Sequence, residues 1–147
     1  MINSKYHLSI KLNMNIRKLI ESDYSTLCKW WESWPNWSAP AKEFLPDNGT
    51  GGFMVEKNKK PIVAGFVYIT NSKAVLLEWI VSDPDYREDD RDMAITCLIS
   101  TIEKIVKEWG YKYMFTIGRT KNLIEKHKKL GWHVDDKPSH EIVKILN

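Results

Sequence analysis

The chain has 147 residues, 43% of them hydrophobic and 28% charged, with a formal net charge of +3. That length buries a core without disulfides or metals, the composition excludes a disordered tail, and so small a basic excess names no nucleic-acid partner. No run approaches the roughly 18 apolar residues of a membrane span.

The start also lacks the charged-then-apolar pattern of a signal peptide, so one cytoplasmic domain is expected over residues 14–147. Residues 1–13 read as an N-terminal extension or an extra strand, because Tyr6, Leu8, Ile10 and Leu12 alternate with polar neighbours. Cys28 and Cys97 fall on predicted helices with no second cysteine or histidine at ligand spacing, which points to reduced core thiols and to no metal.

From Asn15 to Ile20 the chain reads as a short strand. Ser22 is then a natural N-cap for a helix carrying Tyr24, Leu27, Cys28, Trp31 and Trp34 and ending near Pro35. Four of the seven tryptophans lie between Trp30 and Trp37, ahead of a loop with prolines and glycines. Two accounts compete. In one, Trp31 and Trp34 face the core while Trp30 and Trp37 cover a loop. In the other, Trp34 and Trp37 form an aromatic wall for a bound molecule, a cation held over the ring faces being one example.

Residues 53–56 and 62–69 are predicted as antiparallel strands joined by a polar turn at 57–60. A second turn at 71–73 leads into Val75–Val81, an apolar, β-branched strand interrupted only by Glu78. Pro84 stops that strand, and a helix opens among Asp89, Asp90 and Asp92. Its stripe is Ile95, Leu98, Ile99, Ile102, Ile105, Val106 and Trp109, and Gly110 ends it. Further on, 111–117 reads as a strand, Leu123–Leu130 as a short basic helix stopped by Gly131, and Trp132–Val134 and Ile142–Leu146 as strands. The fold class is α/β (α+β): a mixed, mostly antiparallel sheet flanked by helices.

Three stretches resemble the GNAT superfamily of acyl-CoA-dependent N-acetyltransferases. These are NIRKLIESDYSTLCKWW, the central Ile80-Val81-Ser82-Asp83-Pro84-Asp85-Tyr86-Arg87, and His127-Lys128-Lys129-Leu130-Gly131-Trp132. The resemblance implies a splayed central strand, acetyl-CoA as co-substrate, and an amine acceptor, either a small molecule or a protein amino group. It leaves the oligomeric state open. The family's pyrophosphate loop runs Arg/Gln-x-x-Gly-x-Gly/Ala, whereas here the same positions read Arg87-Glu88-Asp89-Asp90-Arg91-Asp92. Both glycines are aspartate, which obstructs close backbone approach and adds negative charge where an anion should sit. The aspartates can instead cap the helix themselves. The alternative function is a non-catalytic binding or scaffold protein of the same shape.

By this resemblance Ile80, Val81, Arg87, Asp90, Arg91, Asp92, Met93 and Asn122 form the coenzyme site. Asn122 stands in for an asparagine that many relatives carry where this chain has Thr120, and the amide of Val81 faces the thioester carbonyl. His127 takes the place of a tyrosine that protonates the leaving thiolate. Glu78 is the candidate base, since burial beside the splay would raise its pKa; a salt-bridged or edge-facing glutamate is the plainer account. For His127 the plainer account is a solvated residue on a lysine-rich helix. Lys121, Lys126, Lys128 and Lys129 fit a solvated face better than a phosphate site.

Overall fold

The computed structural model describes residues 13–147, so the expected strand of Tyr6 to Leu12 lies outside the described residues. The elements are β1 (Met14–Lys18), α1 (Asp23–Ser33), β2 (Gly52–Lys57), β3 (Lys60–Ile69), β4 (Ala74–Ser82), α2 (Arg91–Glu108), β5 (Tyr113–Phe115) and α3 (Lys121–Lys129). They fall into two compact units, the first ending at Thr116 and the second running from Ile117 to Asn147. Among the described residues no helix is long and apolar enough to cross a membrane.

The first unit is built on one sheet in the order β1-β2-β3-β4-β5. The first four strands are antiparallel neighbours and β5 lies parallel to β4. The β2–β3 turn is two residues, Asn58 and Lys59, both with positive φ (51° and 65°). Such a turn matches the natural twist of a hairpin and fixes its register. Gly52 sits where β2 meets β3 most closely: a Cβ there would lie 2.2 Å from the carbonyl oxygen of Gly65.

Helix α1 packs against β4, and α2 packs against β1, β2 and β3. From α2, Ala94, Cys97, Leu98, Ile99, Ile102 and Val106 are buried. Trp109, assigned above to the same stripe, is 48% exposed and stands at the C-cap, just past the helix's last residue. Gly110, at φ 95°, ends the helix in the left-handed conformation. Around α1 the core joins Leu19, Leu27, Trp30, Trp31, Leu45, Met54, Ala64, Phe66 and Val81. Trp30 therefore belongs to the helix's buried core face together with Trp31, which corrects the assignment that set it apart from that face.

The second unit holds α3, opened by Thr120, whose hydroxyl accepts from the Leu123 N–H at 3.2 Å. Gly131, at φ 91°, closes it. The strands expected at Trp132–Val134 and Ile142–Leu146 are not formed. Apolar, β-branched sequence favours a strand only where a neighbour supplies the ladder, and neither segment has one among the described residues. Ile142 and Ile145 are accordingly 92% and 84% exposed.

Candidate functional site

The helix that lays tryptophans against the sheet is anchored at its start by charge. Asp23 is buried and accepts hydrogen bonds from the Ile20 N–H at 2.8 Å and from Arg17 at 2.8 and 3.0 Å. Burial pushes its carboxyl up, but the Arg17 and Ile20 bonds outweigh that and hold it below the ordinary carboxylate value. Ser22, the expected cap, makes no side-chain bond to the helix. Asp23 binds the chain just before the helix instead.

Beyond this anchor lies an aromatic layer. Trp31 is fully buried, stacked on Phe66 at 6.1 Å and met edge-on by Trp79 at 6.1 Å. Phe44 also meets Trp79 edge-on, at 6.0 Å. The Trp79 indole N–H donates to the Tyr68 hydroxyl at 3.0 Å, which donates to the Phe44 carbonyl at 2.9 Å. Trp34 and Trp37 are half-buried against the same cluster.

Trp79 is also where β4 bends. Its φ is 59°, a left-handed value that a bulky residue holds only when its surroundings impose it. The register explains why. Glu78 is opposite Phe66 and Val81 opposite Ala64, so two residues of β4 face the single Gly65. This is a bulge. Directly opposed residues share a face, so Glu78, only 6% exposed, lies on the side of the sheet that carries Phe66 and the tryptophans.

On its other edge β4 pairs with β5 from Ala74 to Leu76, while the strand itself runs on to Ser82. The two strands thus part after Leu76, and β4 is splayed from β5 there. The Asp83 N–H donates to the Ile62 carbonyl at 2.8 Å, and antiparallel alternation then turns Val81 toward β3 and Ser82 toward the open side. The backbone donor on the open edge near the end of β4 is therefore that of Ser82, which corrects the placement of Val81's amide. The Ser82 carbonyl accepts from the Trp34 indole at 3.2 Å, and its hydroxyl accepts from Arg91 at 2.8 Å. The Arg91 guanidinium lies 5.1 Å from the Trp34 ring. Burial, with help from Arg87, lowers its pKa.

At the head of α2, Asp90 does not cap the helix with its side chain. Its carboxylate is held instead by the Lys57 ammonium at 2.6 Å and the Tyr86 hydroxyl at 2.7 Å. Burial raises the Asp90 pKa, but the bonds from Lys57 and Tyr86 more than reverse it and leave it low. Tyr86 is buried, and its phenol is pushed up by burial and then by the carboxylate it serves. Arg87 and Asp92 are exposed and Met93 is half-buried. Neither Lys57 nor Tyr86 is legible as a partner of Asp90 in the sequence; Ser82 and Trp79 were missed as well, since neither a bulge nor strand alternation leaves a local signal.

In the second unit Asn122 is exposed on the first turn of α3. His127 is 3% exposed, which rules out the solvated reading. Its ring meets Trp132 edge-on at 4.7 Å. Its Nδ1 lies 2.8 Å from the Leu123 carbonyl, which can only accept, so Nδ1 carries the proton. Burial holds the imidazole's pKa below its ordinary 6.5, with Lys126 adding to the effect and the Leu123 bond opposing it. At neutral pH the other nitrogen, Nε2, is thus a lone-pair acceptor, and it has no hydrogen-bond partner among the described residues. That polarity is the reverse of what a proton donor to a thiolate needs.

No family model and no curated protein sequence matches the chain. Solved structures match its fold. The Escherichia coli ribosomal-protein-S18-alanine N-acetyltransferase aligns with a TM-score of 0.65 at 18% identity, over 80% of this chain and 76% of that one. An aminoglycoside acetyltransferase from an uncultured soil metagenomic sample, in complex with trehalose, aligns at 0.64 and 15%, over 93% and 99%. An aminoglycoside N-acetyltransferase in complex with CoA aligns at 0.58 and 19%, over 90% and 95%.

Proposed function

Because the chain has the fold of the GNAT N-acetyltransferases, we propose that it transfers an acetyl group from an acyl-CoA thioester to an amine. One observation carries the reading: β4 parts from β5 after Leu76 and is bulged at Trp79, next to the buried carboxylate of Glu78. The amine nitrogen attacks the thioester carbonyl; a C–N bond forms, the C–S bond breaks, and the products are an amide and a thiol. Glu78 takes the proton that the ammonium must lose before attack. The Ser82 N–H stands on the open side, where it can donate to the oxyanion. Trp34 and Trp37 line the approach, and an amine that is cationic in solution gains from their ring faces. The acceptor is a small-molecule amine or a protein amino group, and a reducing cytoplasm suits the two free thiols.

Thiol release with acetyl-CoA and a panel of amines tests the proposal, together with the unfolding midpoint in acetyl-CoA, CoA or ATP. A site filled at about 100 times its Kd adds ~2.7 kcal/mol, a shift of several degrees for a chain of this size. A rise with both CoA species but not ATP, with thiol release, supports the reading. The second reading, a binding protein that keeps the acetyltransferase shape, is favoured by the Asp90–Lys57–Tyr86 network at the head of α2. No shift and no thiol release would decide for it.

A further inference from the structure

Trp34 at the C-cap of α1, Ser82 at the end of β4 and Arg91 at the start of α2 meet at one point. The Arg91 guanidinium donates to the Ser82 hydroxyl at 2.8 Å and lies 5.1 Å from the Trp34 ring. It is half-buried, and a charge drawn out of water normally has a partner of opposite sign. Arg17 has two, Asp23 at 2.8 Å and Glu56 at 3.1 Å. Among the described residues no carboxylate comes within ion-pair distance of Arg91. Yet residues 83–92 hold six carboxylates against two arginines. Asp90 is tied to Lys57 and Tyr86, and Asp83 accepts from the Asp85 N–H at 2.9 Å and acts on Arg91 only through space. Asp85, Glu88, Asp89 and Asp92 are exposed. Arg87 is exposed as well, and its like charge adds to burial in weakening Arg91's hold on its proton. The guanidinium is a planar fork of five donors, one of them bonded to Ser82, and a carboxylate matches such a fork with two parallel bonds.

We propose that Arg91 binds a carboxylate on the acceptor, which makes the acceptor a free α-amino acid. This rests on the acyl-transfer reading above and names its acceptor class, assigning Arg91 to the acceptor and not to the donor's phosphates. Arg91 is bonded to the side chain of the residue whose N–H is assigned to the oxyanion, so the anion it holds and the amine that attacks lie within the span of one small molecule. One face of Trp34 carries the protein's own cation, and the acceptor brings the opposite charge to it.

Thiol release from acetyl-CoA is measured on the full chain with the common L-amino acids, their α-carboxamides, and tyramine as an amine with no carboxylate. At least one amino acid should react with a kcat/KM about tenfold or more above that of its own carboxamide. Amine basicity works the other way, since the carboxamide's amine is the less basic and the more deprotonated of the two. Arg91→Gln should raise KM for that amino acid about tenfold, leave KM for acetyl-CoA within about twofold, and close the gap to the carboxamide. Arg91→Lys keeps the charge without the fork; it should raise the same KM about threefold and serves where the glutamine variant no longer unfolds cooperatively. Carboxamides or tyramine reacting as well as the amino acids, or an Arg91→Gln effect on KM for acetyl-CoA alone, would overturn the proposal and leave acyl transfer standing. No thiol release with any amine would overturn both.

Discussion

Replacing Asp90 by alanine removes a carboxylate that two groups depend on. Tyr86 loses the acceptor of its buried hydroxyl, at 2.7 Å, and Lys57 loses its counterion at 2.6 Å. The Asp90 side chain is only 13% exposed while Lys57 is 31% exposed, so the two losses differ. A hydrogen bond to a charged, buried acceptor contributes about 1.5–3 kcal/mol, and a partly exposed ion pair about 0.5–1 kcal/mol. The expected loss is about 2–4 kcal/mol, or roughly 6–12 °C at about 3 °C per kcal/mol for a chain of this size. Urea unfolding of the wild type, Asp90→Ala, Tyr86→Phe and the double variant measures it. The cycle should give a Tyr86–Asp90 coupling of about 1–2 kcal/mol. The native carboxyl titrates below its ordinary 3.8, so its contribution is complete above that value and disappears as pH falls through the lowered native one. Asp90→Ala should therefore differ from the wild type at pH 7 and converge with it in strong acid. A variant within 0.5 kcal/mol of wild type at pH 7, or a coupling near zero, would refute the reasoning.

Trp31→Ala, which empties a fully buried site between Phe66 and Trp79, should cost about 3–5 kcal/mol by urea unfolding. Gly52→Ala drives a methyl against the Gly65 carbonyl, backbone against backbone, and should cost about 3 kcal/mol in the same assay. His127 is held below its ordinary 6.5, so the unfolded chain takes a proton below that pH which the native imidazole refuses. Wild-type stability should fall from pH 7.5 to 5.5 by up to ~1.4 kcal/mol per pH unit in the acid part of that range, and His127→Gln should lose less. Glu78→Gln should lower the rate of thiol release about 10²-fold, in any amine assay that works, while its unfolding free energy stays within about 1 kcal/mol.

The α/β class, the three-strand meander and both helices of the first unit were legible in the sequence, because each carries a strong local period. The run from Val75 to Val81 marked β4 within a residue of its bounds, and Gly110 marked the end of α2. The second unit was legible only in α3. Ile142–Leu146 has the composition of a strand, but pairing is a property of two segments and cannot be read from one. The site divides in the same way. Glu78 stood out as one polar residue in an apolar strand, and its burial follows from that position. The seat of Asp90 did not stand out, since Lys57 is 33 residues away and Lys59 and Lys60 close beside it look the same in sequence. An aspartate at a helix start reads as a cap; only the fold offers it a stronger partner. Trp79 was invisible for another reason: its left-handed φ comes from the offset between Phe66–Glu78 and Ala64–Val81, which is fixed across the ladder.

The account's central claim is that β4 beyond Leu76, where it has parted from β5, receives a thioester arm. The most direct measurement is the amide proton–nitrogen spectrum of the labelled protein titrated with S-acetylpantetheine. Saturable shifts centred on Glu78 to Ser82, with Ser82 among the largest and the Gly49–Gly52 amides still, are the expected result. Saturable shifts that leave Glu78 to Ser82 unmoved, or none at millimolar ligand, would contradict it.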